Sequence, residues 1–502
     1  MTPTEPINHA TTPGDVELDR DALLRRLDEL ERASMALEPD AAERARLRDA
    51  AIASTERFLE SIGTLKTFET VERPGAGLLD APVTEHGIPL ERAITLLERE
   101  VVHPGGNPAS GGHLAYIPGG GLYHSAIGDF LAAATNKYAG IFFTGPGCVR
   151  MENLLVRWVA GLAGYPAGAA GHIASGGSIA TLAAIAAARD AHGLRGADYA
   201  GAVVYLTAQA HHCIHKALHL AGMGEAPVRT IATDERHRMR PAALAGAIAA
   251  DRAAGLRPWL VIAAAGTTDT GAVDPLDEIA TIAQREGCWY HVDAAYGGFF
   301  LLTDHGRTML RGIERSDSAV LDPHKSLFLP YGAGMVIVRD GARLAATHGY
   351  TGHYMQDAVD DEEMSPADLS PELSKHFRAL RMWLPLMVLG TAPFRAALDE
   401  KLLLARHFRA EAAALGFEVG PEPDLSVVTF RWAPAGMELD EANRVNQAIV
   451  DGVRADGRVF LSSTLLEGRY VIRLAALAFR THRRTIELTL GILRQQLAAL
   501  GL

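Results

Sequence analysis

The sequence predicts an α/β protein whose large domain is built on a mostly parallel sheet, with a helical segment before it and a smaller α+β domain after it. Three observations carry this. Short apolar runs alternate with helical ones from about residue 119 to Gly390, the pattern of βαβ units covered on both faces. The stretch before it reads as charged helix, and after Gly390 the order changes to helix, strand, helix, paired strands, helix. The expected boundaries are 1–118 for the helical segment, 119–390 for the large domain and 391–502 for the small one.

Residues 1 to about 15, rich in Thr, Pro and Asn, give no element. Helices follow over Val16–Met35 and Ala41–Ile62, where Leu23, Leu24, Leu27 and Leu30 form an apolar stripe suited to packing on the fold or on a second subunit. Another helix is expected over Pro89–Val102, and Gly and Pro density marks Pro104–Gly121 as a long loop. Buried strands are expected at Ala202–Leu206, Trp259–Ala265, Cys288–Val292, Ala319–Leu321 and Met335–Val338. Helices are expected at Ile179–Ala191, Pro241–Ala254 and Leu276–Glu286. In the small domain the reading is helix Phe394–Leu415, strand Ser426–Arg431, helix Asp440–Asp456, a pairing of Val459–Ser462 with Tyr470–Leu474, and helix from Arg483.

The 502 residues suffice for a large core with a smaller one attached. A formal net charge of −12 without a basic stripe argues against nucleic acid or an anionic membrane as partner. Cys148, Cys213 and Cys288 are too scattered for a disulfide framework, no secretion signal opens the chain, and no apolar run spans a bilayer. A cytoplasmic protein is expected.

Chemistry concentrates at Lys325, in Asp322-Pro323-His324-Lys325-Ser326, downstream of His291-Val292-Asp293-Ala294-Ala295-Tyr296. A lysine able to form a Schiff base, with a carboxylate ending an apolar strand, is what pyridoxal phosphate requires: the amine captures the aldehyde, and Asp293 keeps the pyridine nitrogen protonated. A solvated lysine and a helix-capping aspartate are the plain alternative. Lysine is scarce, being confined to positions 66, 137, 216, 325, 375 and 401, and arginine cannot replace it in this role.

Ser175-Gly176-Gly177-Ser178 before the helix at Ile179 suits a phosphate cradle, since small residues and free N–H groups at a helix start attract an anion. His211, His212, His215 and His219 cluster; without a completing carboxylate a metal site is not expected, three of them read as solvated or core-facing, and His211, at the end of a strand and loop, could instead lie flat on the cofactor ring. Gly266-Thr267-Thr268 follows a strand and offers a hydroxyl to the cofactor's 3′ oxygen, or is a simple turn.

These residues resemble the group II pyridoxal phosphate-dependent amino acid decarboxylases, among them the aromatic-L-amino-acid, glutamate and histidine decarboxylases. The likeness runs from about His103 to Gly390 and more loosely to the end. It rests on "AYIPGGGLYHSAIGDFL" at Ala115–Leu131, Pro146 through Glu152, "SGGSIATL" at Ser175–Leu182, "HVDAAYGG" at His291–Gly298, "DPHK" at Asp322–Lys325 and "FRALRMW" at Phe377–Trp383.

The resemblance implies the fold of the type I, aspartate aminotransferase-like enzymes and a homodimer with swapped early helices. It implies pyridoxal 5′-phosphate on Lys325, His324 at its phosphate, Asp293 on the ring nitrogen and Ala295 against the ring. Gly177 and Ser178 would bind the phosphate, Thr268 would donate its hydroxyl, and His211 would stack. Tyr350, with Tyr354 a near competitor, would protonate Cα from a mobile lid over Gly341–Pro371. Tyr116 would face the substrate, an L-amino acid.

Ser326, Cys213, Lys375 and His376 depart from the family's commoner tryptophan, serine and paired arginines, and Gly119 stands where animal aromatic decarboxylases have threonine. Tyr116 with Phe142 and Phe143 favours an aromatic or apolar side chain, and Arg378 or Lys375 are the cations an acidic substrate would need. An oxidative aldehyde synthase, an aminotransferase or a carbon–carbon lyase would share the same lysine and aspartate.

Overall fold

The computed structural model describes residues 19–349 and 362–502. They divide into two units, one from the described part of 1–61 with 75–102, the other from 62–74 with 103–502. In the first, Asp19 caps the helix Arg20–Ser34 by accepting the Ala22 N–H at 2.8 Å. The helix Ala41–Ser61 is tied to Leu90–Leu97 and the wider turn Glu98–Val102 through Arg46 to Glu91 at 2.5 Å and Arg57 to Glu98 at 3.1 Å. Leu23, Leu24, Leu27 and Leu30 remain about half exposed along one stripe.

The second unit opens with a two-residue pairing of β1 (Phe68–Glu69) and β2 (Gly105–Gly106). Its main sheet has seven strands: β3 (Ala170–Ala174), β4 (Ala202–Thr207), β5 (Val228–Ile231), β6 (Arg257–Ala264), β7 (Trp289–Asp293), β8 (Ser318–Leu321) and β9 (Gly334–Val338), in the order β3-β9-β8-β7-β6-β4-β5. Pairings from β5 to β8 are parallel; β9 runs antiparallel to both neighbours.

Side chains alternate between two cores, one per face. Val203, Tyr205, Val261, Ala263, Tyr290 and Val292 meet the helices Pro146–Leu162, Pro241–Ala253 and Leu276–Glu286. Val204, Leu206, Leu260, Ile262, Val320 and Val336 meet Gly177–Ala191 and Cys213–Leu220. Burial on both faces is why these strands read as continuous apolar runs. The inner face of Gly177–Ala191 is mostly alanine (Ala180, Ala183, Ala184, Ala187, Ala188), which lets it lie close on the sheet.

The smaller sheet has the order β10-β11-β13-β12, with β10 Glu418–Val419, β11 Val427–Arg431, β12 Ser462–Leu466 and β13 Arg469–Ala475. It packs on helices Ala392–Ala414, Leu439–Asp456 and Arg483–Ala499 around Phe408, Phe430 and Ile449.

Two expectations are corrected. The strand expected at Val459–Ser462 lies at Ser462–Leu466, in register Ser462 with Arg473. The apolar run Val459–Leu461 is used elsewhere: the Phe460 carbonyl accepts the Leu114 N–H at 2.9 Å, and the Phe460 N–H donates to Gly112. The segment Gly341–Pro371, expected as a mobile lid, contains among its described residues helices Gly341–His348 and Pro366–Leu369. Leu344 and Leu369 anchor them, fully buried against the core on the Gly177–Ala191 face. Strands β3 and β5 and the helices Tyr123–Thr135 and Pro146–Leu162 are further additions. No described helix is long and apolar enough to cross a membrane.

Candidate active site

Five strands that run in one direction deliver their carboxyl ends to one edge of the main sheet, where open α/β sheets bind ligands. There β3 leads into Ser175–Ser178, β4 into Gln209 and His211, β6 into Gly266–Thr268, β7 ends at Asp293, and β8 leads into Asp322–Lys325; all line one cavity of about 390 Å³. Of the sequence-predicted residues, Gly177, Ser178, His211, Thr268, Asp293, Ala295, His324 and Lys325 are brought together in it.

Close approach explains two glycines. A Cβ on Gly177 would stand 2.8 Å from Asp322 Oδ2. Gly266 has φ +96°, and a Cβ there would strike the Tyr296 ring at 2.5 Å. Gly177 also begins a 15-residue helix with no side-chain cap; the Ile179 and Ala180 N–H groups turn back to the Gly176 carbonyl, and those of Gly177 and Ser178 are the ones offered to an anion.

Asp322 is the residue that sequence reasoning missed. Its Oδ2 lies 3.0 Å from Lys325 Nζ and 3.7 Å from His324 Nε2, its side chain is 2% exposed, and its buried Oδ1 has no hydrogen-bond partner among the described residues. A carboxylate three residues before the lysine, on a one-turn helix, was the available signal. Burial pushes the Lys325 amine down, but Asp322 and then Asp293 outweigh it, and its pKa ends above the ordinary lysine value.

His211 Nδ1 accepts the Cys213 N–H at 3.2 Å, so the neutral ring carries its proton on Nε2. Burial holds its pKa down against the pull of Asp293. His324 donates from Nδ1 to the Ala333 carbonyl, leaving Nε2 toward Asp322. Burial pushes the Cys213 thiol up to about 12, so it stays protonated. His212, His215 and His219 are exposed.

Other expected residues are not in the wall. Tyr116, 61% exposed with φ 56°, packs near Phe460, and Phe142 and Phe143 also lie outside the lining. Tyr116 is nevertheless strapped to the cavity: its N–H donates to Ser462 Oγ at 3.3 Å, Arg473 donates to the same oxygen at 2.7 Å, and Arg473 also donates to the Thr268 and Asp269 carbonyls. The two candidate cations for an acidic substrate are consumed. Lys375 is sealed against Glu152 at 2.6 Å, and Arg378 is held bidentate by Glu372 at 2.9 Å. Tyr350 and Tyr354 lie outside the described residues.

The donor set fits pyridoxal phosphate. The glycine-lined helix start suits its phosphate, the lysine its aldehyde, and Asp293, whose Oδ1 accepts the Ala295 N–H at 3.2 Å, its ring nitrogen. The cavity is within the roughly 300–1,000 Å³ of ligand clefts.

Comparison with known proteins agrees with that fit. Residues 98–433 match the pyridoxal-dependent decarboxylase conserved domain. The chain is 36% identical over 407 residues to an aromatic-L-amino-acid decarboxylase of Bacillus atrophaeus, covering 80% of this chain and 84% of that protein. It is 28% identical to a phenylacetaldehyde synthase of Arabidopsis thaliana, over 76% of this chain and 81% of that one. Among solved structures it is similar to Oryza sativa TDC with PLP and tryptamine: TM-score 0.86, 26% identity, 92% of this chain and 99% of the other. That likeness includes the type I fold of these decarboxylases.

Proposed function

The chain belongs to the pyridoxal-dependent decarboxylase family and is a pyridoxal phosphate-dependent amino acid decarboxylase, and on that premise we propose that it acts on an L-amino acid with an aromatic or other apolar side chain. The observation carrying this is the loss of both free cations. With Lys375 closed on Glu152 and Arg378 on Glu372, neither candidate is left to pair with a side-chain carboxylate. The identity to the Bacillus aromatic decarboxylase supports the same reading.

In this reading Lys325 is the residue that would hold the cofactor covalently, through its aldehyde. When bound, the cofactor supplies the sink for the electron pair left as carbon dioxide departs. Asp293 keeps a proton at the pyridine nitrogen, and Ala295 leaves room for the ring. Gly177 and Ser178 bind the phosphate through first-turn N–H groups, with His324 beside them. Thr268 donates its hydroxyl and His211 covers the ring. Tyr350 returns a proton to the substrate Cα, and Tyr116 bounds the substrate side chain. The three buried free cysteines suit a reducing cytoplasm. The half-exposed leucine stripe at Leu23–Leu30 suits burial in a homodimer.

A panel of L-amino acids tests the substrate, with amine and carbon dioxide measured. Tryptophan, tyrosine and phenylalanine should exceed glutamate, aspartate and cysteine sulfinate by at least about 100-fold in kcat/KM, as for a charge left unpaired in an apolar pocket. Preference for an acidic member would sink the assignment. Similarity to the phenylacetaldehyde synthase favours one second reading, oxidative aldehyde formation. Ammonia and peroxide released in step with carbon dioxide from the same panel would select it.

A further inference from the structure

Asp322 follows β8 and opens the one-turn helix Pro323–Ser326, yet its carboxylate accepts no N–H from that helix. The side chain turns instead under the Gly177 loop and meets Lys325 Nζ at 3.0 Å. Among the described residues nothing hydrogen-bonds to Oδ1, which is buried. Burying a carboxylate costs its lost hydration unless a counter-charge compensates, and the Lys325 amine at 3.0 Å supplies one.

We propose that Asp322 is a positioning residue: it berths the free Lys325 ammonium beside the anion cradle whenever that lysine is not bonded to cofactor. This rests on the reading above that Lys325 is the cofactor's lysine. The role differs from that of Asp293, which ends the neighbouring strand β7 and spends Oδ1 on the Ala295 N–H. A lysine side chain carries about 2 kcal/mol of rotamer entropy. A fixed partner at hydrogen-bond distance therefore keeps the released amine at the cavity floor, where it can be recaptured.

The groups facing the amine are the carboxylates of Asp322 and Asp293, the Cys213 thiol, the His211 and His324 imidazoles and the Tyr331 phenol. Asp322 leads those that favour the ammonium and is the one carboxylate among the described residues within ion-pair distance of it. Its removal should make the amine less basic.

The test uses the full-length protein stripped of pyridoxal phosphate and reloaded with it over a pH series. Capture is read by visible absorbance, then by borohydride trapping and peptide mass to locate the lysine. In Asp322→Asn, which keeps the shape and removes the charge, the pH midpoint of capture should move down by about one unit or more, about tenfold faster capture on the acid side. A role in folding alone would lower the unfolding temperature and leave that midpoint in place.

An unchanged midpoint with the trap still on Lys325 overturns the berth and leaves the Lys325 reading standing. Trapping on another lysine overturns both. Asp322→Ser is the second variant should Asn fail to fold, and failure of both to fold would make Asp322 a structural strut and end the proposal.

Discussion

Of the lysine–carboxylate pairs among the described residues, Lys375–Glu152 and Lys325–Asp322 are built for opposite purposes. Lys375 and Glu152 meet at 2.6 Å with side chains 0% and 1% exposed, and Glu152 Oε1 also accepts the Ile173 N–H at 2.9 Å, fastening β3 to the helix Pro146–Leu162. Lys325 and Asp322 meet at 3.0 Å, but the lysine is 22% exposed and borders the cavity. Burial is common to both. An adjoining void and loose support on the carboxylate distinguish the pair that can exchange partners from the pair that cannot.

Lys325→Ala presses hardest on that contrast. It should abolish the visible absorbance of bound cofactor and cut decarboxylation by on the order of 10³-fold or more, while the unfolding midpoint of the cofactor-free protein moves little. Retained absorbance would break the contrast.

Lys375→Ala should do the reverse. It leaves Glu152 charged and buried and costs about 3–5 kcal/mol in denaturant unfolding, while protein that remains folded keeps its kcat. Replacing both partners, Lys375→Met with Glu152→Leu, should recover most of the stability. A Lys375 variant that loses activity at full stability would show that the sealed pair is not merely structural.

The smallest effect is pH dependence. His113 and His291 are held neutral by burial, their pKa values pushed down to about 4, and fully buried His172 is pushed down by burial and by the Lys375 charge beside it. Their unfolded values are about 6.5, so the unfolded chain binds more protons below that pH. Stability is therefore complete above about pH 6.5 and lost as pH falls toward 4. Neither His172 ring nitrogen has a partner among the described residues, so His172→Phe should flatten this acid limb at little cost at neutral pH. An unchanged limb would count against it.

Residues at the ends of parallel strands were legible in the sequence, because a buried strand followed by Gly, Ser, Thr or Asp marks a ligand edge whatever the long-range packing. Lys325, Asp293, Gly177, His211 and Thr268 all belong to this class and share one cavity. Asp322 was not legible, since an aspartate before proline reads equally as a helix cap; only the fold turns its carboxylate away from that helix. Lys375 was read as a possible substrate cation because its partner is 223 positions away and leaves no local pattern. Val459–Leu461 was read as a strand of the small sheet because apolarity does not say which neighbour it will pair with.

The single antiparallel strand of the main sheet has a consequence for assembly. Among the described strands, β8 and β9 are the only paired neighbours of that sheet joined without a crossover helix longer than one turn, through residues 322–333. Lys325 thus sits on the shortest closed loop of the large sheet, and closure entropy grows with loop length. Pairings of low sequence separation are also the quickest to form. The lysine's own turn can close before β3, β4 or β6 bring up the rest of the wall, so the nucleophile is set in its frame while the cofactor's other contacts are still being gathered.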